Sequence, residues 1–306
     1  MDDFTFGDDA TIVVTGDVDD RLTQICRGTA LARARGAPLR HVLIYGKPGS
    51  GKSAVAKGLG ESIFGLPYAL MSGSDLAPLG KHGPEELRKI LSWAKSQRSG
   101  AMLIIDEAEA ALGRRHRNCS HSSSAREEGR EGGEVGESYA RDSLNVLLSM
   151  TGTASCELML VLTTSNPQAL DEAVLDRMDE LVELKLPERP ERRKILFNSF
   201  SKKFQTEEEA SSASRGWLLR RKRRKFSRVI LEGNFDVSAE LDKLSTDKMT
   251  HGCSGRELEK MLQSVVTSVY ANTIGNGKLD VQHWQRATRR YCQDLKMKWR
   301  LRRKDN

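Results

Sequence analysis

Five short apolar runs recur along the first two thirds of the chain, near His41–Tyr45, Tyr68–Met71, Met102–Ile105, Leu158–Thr164 and Leu181–Leu186. They do not alternate with polar residues, which predicts strands covered on both faces, as in a parallel sheet. Apolar positions with helical spacing accompany them, near Asp19–Arg33, Ser53–Phe64, Pro84–Gln97, Ala140–Met150 and Gln168–Arg177. Strands alternating with helices predict an α/β fold, a five-stranded parallel sheet flanked by helices. After Pro190 the strand signal fades. Glu191–Phe204, Ser238–Thr250, Gly255–Ala271 and Val281–Leu301 all read as helices, predicting a smaller helical domain. The expected division is an acidic tail at 1–17, the α/β domain at 18–189 and the helical domain at 190–306.

Two stretches interrupt that order. Arg117–Ser138 is rich in Ser, Glu and Gly with almost no apolar content, the composition of a disordered surface insertion. Gln205–Gly233 reads as a second insertion and carries the basic run Arg220–Lys225. That run has 6 basic residues, and Arg286–Lys304 has 9 more against the single Asp294. The remainder holds 34 basic and 41 acidic residues, so the formal net charge of +7 is local to these two segments. Such segments suit phosphate backbones or anionic lipid headgroups, and equally a solvated insertion and a solvated helix end.

At 306 residues the chain is long enough for about two domains. No apolar stretch approaches the roughly 20 residues needed to cross a bilayer, and the acidic start M-D-D-F-T-F-G-D-D is unlike a signal or transit peptide, so a soluble chain is expected. The five cysteines are scattered and the six histidines show no ligand spacing, which predicts reduced thiols and no structural metal. The tryptophans are too far apart to interleave with basic residues as a base-stacking platform.

The chemistry concentrates in two motifs. Arg40–Ser53 reads R-H-V-L-I-Y-G-K-P-G-S-G-K-S, an apolar strand, a glycine-rich turn and the start of a helix. Glycines let successive backbone N–H groups converge on phosphates; Lys52 has the reach for β/γ oxygens, and the Ser53 hydroxyl can ligate Mg²⁺. The expected nucleotide-binding set is Gly46, Lys47, Pro48, Gly49, Ser50, Gly51, Lys52 and Ser53. Downstream, Ala101–Glu107 reads A-M-L-I-I-D-E, a buried strand ending in two carboxylates. At the carboxyl end of such a strand Asp106 is placed to hold Mg²⁺ and Glu107 to orient water at the γ-phosphate of ATP. The plainer alternative is a buried strand followed by an acidic helix cap.

The order of phosphate loop, S-G-S-D-L at Ser72–Leu76, L-I-I-D-E at Leu103–Glu107, L-T-T-S-N at Leu162–Asn166, D-R-M-D at Asp176–Asp179 and G-C-S-G-R-E-L at Gly252–Leu258 resembles the AAA+ ATPases. The resemblance spans roughly residues 18 to 300. M-S-G-S-D-L-A-P-L-G, D-E-A-E-A-A-L-G-R-R and the short D-R-M-D-E turn look most like the mitochondrial "ATPase family AAA domain-containing protein three" group. The resemblance implies a P-loop NTPase with a helical lid, and makes Asn166 a sensor of the attacking water. Arg177 is implied as a finger reaching the neighbouring subunit's nucleotide, and Arg256 as a second sensor in the lid. Asn166 is also open to a role as a turn cap before Pro167, and Arg177 and Arg256 to surface ion pairs with Asp176, Asp179 or Glu259.

The same resemblance implies a homo-oligomer, a hexameric ring, since a finger acting in trans needs a neighbour, and it implies association with the mitochondrial inner membrane. There are departures from the pattern. Leu79, Gly80, Lys81 and His82 stand where many AAA translocases place an aromatic pore-loop residue, which puts grip on a threaded polypeptide in doubt. Lys47 replaces a common loop proline. Related chains carry coiled-coil and membrane-associated segments ahead of the ATPase domain, where only about 17 residues precede the resemblance here; a truncated product or a free ATPase module is expected. The leading expectation is an ATP hydrolase using Mg²⁺ to remodel a protein or membrane-associated assembly. The alternatives are an ATP-binding scaffold holding nucleic acid or anionic lipid through basic segments, and a small-molecule kinase.

Overall fold

In a computed structural model the described residues are 12–63, 65–76, 79, 82–113, 142–153, 155–205, 229–233, 235–271 and 278–304. The expected insertion at 117–138 and the run Arg220–Lys225 lie outside them. The chain divides into two compact units, Met1–Lys185 and Leu186–Asn306.

In the first unit, strands β1 (Val42–Gly46), β2 (Tyr68–Ser72), β3 (Ala101–Asp106), β4 (Leu158–Thr164) and β5 (Glu180–Leu184) form one sheet in the order β2-β3-β4-β1-β5. Every pairing is parallel. The pleat sends alternate residues of the apolar runs to opposite faces. Leu43, Leu103, Ile105, Leu160 and Leu162 enter one core with Leu87 and Leu91 of helix α4 (Gly83–Ser96). Val42, Ile44, Met102, Ile104, Met159 and Val161 enter the other, against α1 (Gly16–Arg35) and α2 (Lys52–Ser62). Each fully buried side chain of this size contributes about 1.5–3 kcal/mol, so a sheet buried on both sides needs the uninterrupted runs seen in the sequence. The edge strands show the converse, with Leu70 of β2 and Leu181 of β5 about half exposed.

α1 starts on Asp17 and Asp19, ends on Arg33 and Arg35, and stops at Gly36 in the left-handed conformation, so its charges match the helix dipole. Short helices α3 (Gly73–Leu76) and α5 (Glu109–Leu112) follow β2 and β3, and α6 covers 142–150. The helix expected over Gln168–Arg177 is divided into a 3₁₀ turn at Pro167–Ala169 and α7 (Glu172–Leu175). Between them Leu170 bridges to Gly113, the Asp171 N–H donates to the Leu112 carbonyl, and the Asp171 side chain caps α7 at Ala173 N. Tertiary hydrogen bonds there replace the intrahelical ones.

The second unit is mostly helical, with α8 (Arg189–Lys203), α9 (Val237–Leu244), α10 (Asp247–Thr250), α11 (Gly255–Ala271) and α12 (Val281–Lys304). It also holds a small parallel sheet of β6 (Phe204–Gln205), β7 (Val229–Leu231) and β8 (Lys278–Leu279), which the sequence reading did not foresee. β7 falls inside the stretch assigned to an insertion, and Val229 and Leu231 are buried in the unit's core. That core centres on Trp284, packed edge-on against Phe200, Phe204 and Phe235. The helix expected over Ser238–Thr250 breaks at Ser245, whose carbonyl accepts two bonds from the buried Arg192 guanidinium at 3.3 and 3.0 Å.

Candidate functional site

The turn after β1 is shaped by glycine. Gly46 has φ 153°, and a Cβ there would stand 2.2 Å from the Leu184 carbonyl oxygen of β5. Gly49 and Gly51 adopt φ 82° and 100°. Lys52 opens α2 almost fully buried, and its ammonium donates to the Gly46 carbonyl at 2.8 Å and the Lys47 carbonyl at 3.1 Å, bracing the loop from within. Ser53 is exposed beside it. The first turn of α2 carries no acidic residue, so no side chain of that turn offsets the positive end of the helix dipole. The buried Ser50 hydroxyl has no hydrogen-bond partner among the described residues. A glycine-built turn, the positive end of a helix dipole, a lysine and a hydroxyl unsatisfied among the described residues fit a polyphosphate with its cation.

The acidic side depends on a residue that motif reading missed. Asp106 ends β3, and the Thr163 hydroxyl of neighbouring β4 donates to its carboxylate. That same hydroxyl accepts the Glu107 N–H at 3.2 Å, and the Ala108 N–H donates to the Thr163 carbonyl at 2.9 Å. These bonds hold Glu107 at φ 52°, a conformation no other non-glycine among the described residues adopts. Such a residue costs about 1–2 kcal/mol. The outcome is a half-buried Asp106 and an exposed Glu107 side chain. Gly73 makes room for this turn, because a Cβ there would lie 2.4 Å from the Glu107 carbonyl oxygen. Thr163 stood in the sequence as the middle of L-T-T-S-N, and Gly73 inside S-G-S-D-L; a hydroxyl at the end of a buried apolar strand was the available signal.

Asn166 follows β4, exposed, with its N–H bonded to Thr164 Oγ1 at 3.0 Å. Its side chain makes no capping bond to the Pro167–Ala169 turn, so the cap alternative is not realised. Glu109 anchors the preceding residue by accepting the Ser165 N–H at 3.2 Å, while its second carboxylate oxygen is buried with no partner among the described residues. Arg177 donates to the Ala173 carbonyl at 2.6 Å, its Nε is buried without a partner, and it meets no carboxylate among the described residues. The ion pairs with Asp176 or Asp179 are therefore not formed.

Register explains how these groups meet. β4 lies between β3 and β1, Ser72 pairs with Asp106, and Tyr45 pairs with Thr164. All strands run parallel, so the phosphate loop, Asp106, Glu107 and Asn166 share the carboxyl rim of the sheet, where ligands of open α/β sheets bind. Arg256 belongs to the second unit, exposed in the first turn of α11. A capping box fixes that turn, Ser254 N–H donating to Glu257 at 2.8 Å and Glu257 N–H to Ser254 Oγ at 3.3 Å. Glu259 pairs with Lys203, and Arg256 meets no carboxylate among the described residues. Burial pushes the Cys26 and Cys253 thiols up to about 12, so neither supplies a thiolate nucleophile.

The sequence profile of "ATPase family associated with various cellular activities (AAA)" matches residues 42–186, from the first residue of β1 to just beyond β5. "ATPase family AAA domain-containing protein 3" of Caenorhabditis elegans is 34% identical over 264 residues, 86% of this chain. Residues 42–186 are an AAA ATPase domain. The Drosophila melanogaster "ATPase family AAA domain-containing protein 3A homolog" is 31% identical and the human "ATPase family AAA domain-containing protein 3A" 30%, both over 86% of the chain. The chain spans only 39%, 38% and 39% of these three relatives. Its fold matches the crystal structure of the FIGL-1 AAA domain in complex with ADP, with a TM-score of 0.64, 16% identity, and 94% of this chain and 85% of that chain covered. Among the described residues, no helix is long and apolar enough to cross a membrane.

Proposed function

We propose that the chain hydrolyses ATP with Mg²⁺, as the ATPase module of a ring-forming machine that remodels a protein or membrane-associated assembly. The observation that carries this reading is the Thr163 hydroxyl, which ties Asp106 and the Glu107 N–H together on the rim shared with the phosphate loop. A buried strand merely followed by an acidic cap has no use for an exposed carboxylate held at positive φ.

In the proposed site the N–H groups opening α2 and the Lys52 ammonium hold the β- and γ-phosphates. Ser53 and Asp106 are the residues that would hold Mg²⁺, which supplies Lewis-acid stabilisation of phosphate charge. Glu107 orients the attacking water and accepts its proton, and the Asn166 amide fixes that water from the adjacent strand. Arg177, which meets no carboxylate among the described residues, serves a neighbouring subunit's nucleotide, and Arg256 acts as the second sensor. An AAA domain of the same fold was captured with ADP, which supports the adenine nucleotide. The hexameric ring and the mitochondrial inner-membrane setting rest on the relatives' family alone.

The test is steady-state ATP hydrolysis over a range of protein concentrations, with Arg177→Ala and Glu107→Gln alongside. Specific activity should rise with concentration. Arg177→Ala should lower it about 10³-fold, and Glu107→Gln should remove turnover while ATP binding persists. Tight ATP binding without turnover at any concentration would replace this reading with a nucleotide-binding scaffold.

A further inference from the structure

The outer face of α12 combines two features that neither packing nor the nucleotide site explains. Trp284, Thr288, Cys292 and Leu295 are buried, spaced by three and four residues, and fix the inner face of the helix. The opposite stripe, at the same spacing, is Arg286, Arg290, Gln293, Met297 and Leu301, all exposed. Met297 and Leu301 are each 61% exposed, more than any other large hydrophobic among the described residues. Arg289 and Arg300 flank the stripe, exposed, and Lys298 is exposed nearby. Asp294 is the single acidic residue from Val281 to Lys304. Among the described residues Arg289, Arg290, Lys298 and Arg300 meet no carboxylate, so their charge is directed outward.

Cations alone suffice to bind a phosphodiester backbone, and base stacking needs exposed aromatic rings, which this stripe lacks. Two aliphatic side chains one turn apart among outward-facing arginines instead suit the boundary between lipid headgroups and acyl chains, where long basic side chains extend to phosphate while apolar neighbours sink below. We propose that α12 is a docking surface for an anionic phospholipid bilayer, with the basic side chains on the headgroups and Met297 and Leu301 entering the interface. Charge supplies most of the attraction, because two aliphatic side chains bury little area. The inference is independent of ATP turnover.

Sedimentation of the full chain with phosphatidylcholine vesicles, with and without about 30 mol % phosphatidylglycerol, tests it. Binding should require the anionic lipid and weaken with salt. Arg289→Gln combined with Arg290→Gln should reduce it roughly thirtyfold. Met297→Ser combined with Leu301→Ser should reduce it several-fold and abolish the part that survives high salt. All four positions are on the surface, and unchanged circular dichroism will confirm folding. Equal binding to neutral vesicles, or none to either, overturns the proposal. So does an apolar double variant that binds vesicles like the parent while the chain binds duplex DNA more tightly, which would make the face a nucleic-acid contact.

Discussion

The two units treat buried polar groups in opposite ways. In the second, Arg192 is 2% exposed, and its guanidinium serves the Ser245 and Pro187 carbonyls and the Asp247 carboxylate, so polarity is consumed in architecture. In the first, the Ser50 hydroxyl, one Glu109 oxygen and the Arg177 Nε are buried without partners among the described residues, and Glu107 is held at positive φ. Satisfied polar groups fix a fold, whereas unsatisfied and strained ones collect where a ligand or neighbouring chain completes them. Glu191 of the second unit, with one buried oxygen unpartnered among the described residues, departs from this contrast, and nothing in the structure explains it.

The largest expected effect comes from removing the centre of the architectural unit. Trp284→Ala deletes a 1% exposed ring that meets Phe200, Phe204 and Phe235 at centroid distances of 5.7, 5.9 and 5.6 Å. The cost should be about 4 kcal/mol. If each unit unfolds on its own, hydrogen exchange will show lost protection in α8 and α11 while β3 and β4 keep theirs. Equal loss in both units would merge them into one cooperative body and end the comparison.

How much was readable in advance follows the same division. The sheet was legible because strands covered on two faces demand unbroken apolar runs, and the phosphate loop because its chemistry needs glycines at fixed offsets. Thr163 was not, because a threonine ending a buried strand looks like any β-former until the register with Asp106 is known. Strands β6 and β8, two residues each, are too short to show a period. The break at Ser245 was hidden for a different reason, since it depends on Arg192, more than fifty positions away. Local pattern gives elements; partners distant in sequence decide where they stop.

A middle-sized effect tests whether Thr163 belongs to the chemistry or only to the fold. Thr163→Val keeps the shape but leaves the Asp106 carboxylate and the Glu107 N–H without their shared hydroxyl. Stability should drop by about 2 kcal/mol, and ATP turnover by about tenfold beyond any loss of folded protein. Thr163→Ser should restore turnover more fully than stability. A valine variant with normal turnover would reduce the hydroxyl to a packing detail, and the contrast between the units would weaken with it.

The smallest effect concerns a polar group in the first unit that is architectural, and so marks where the contrast stops. His41 is buried just before β1, with Nδ1 accepting the Leu160 N–H at 3.1 Å and its backbone N–H donating to the Asp179 carboxylate at 2.6 Å. Burial lowers its pKa below the ordinary value near 6.5, with the Asp179 carboxylate opposing in part. The unfolded chain therefore takes up a proton at a pH where the folded chain does not. The stabilisation is complete above about pH 6.5 and is lost as pH falls below it toward the folded value, with a slope of at most about 1.4 kcal/mol per pH unit. Urea unfolding from pH 7.5 down to 5 should show this decline, and His41→Gln, which keeps an acceptor for Leu160 but cannot titrate, should flatten it. An unchanged slope in the variant would assign the acid sensitivity to other groups and leave His41 as packing alone.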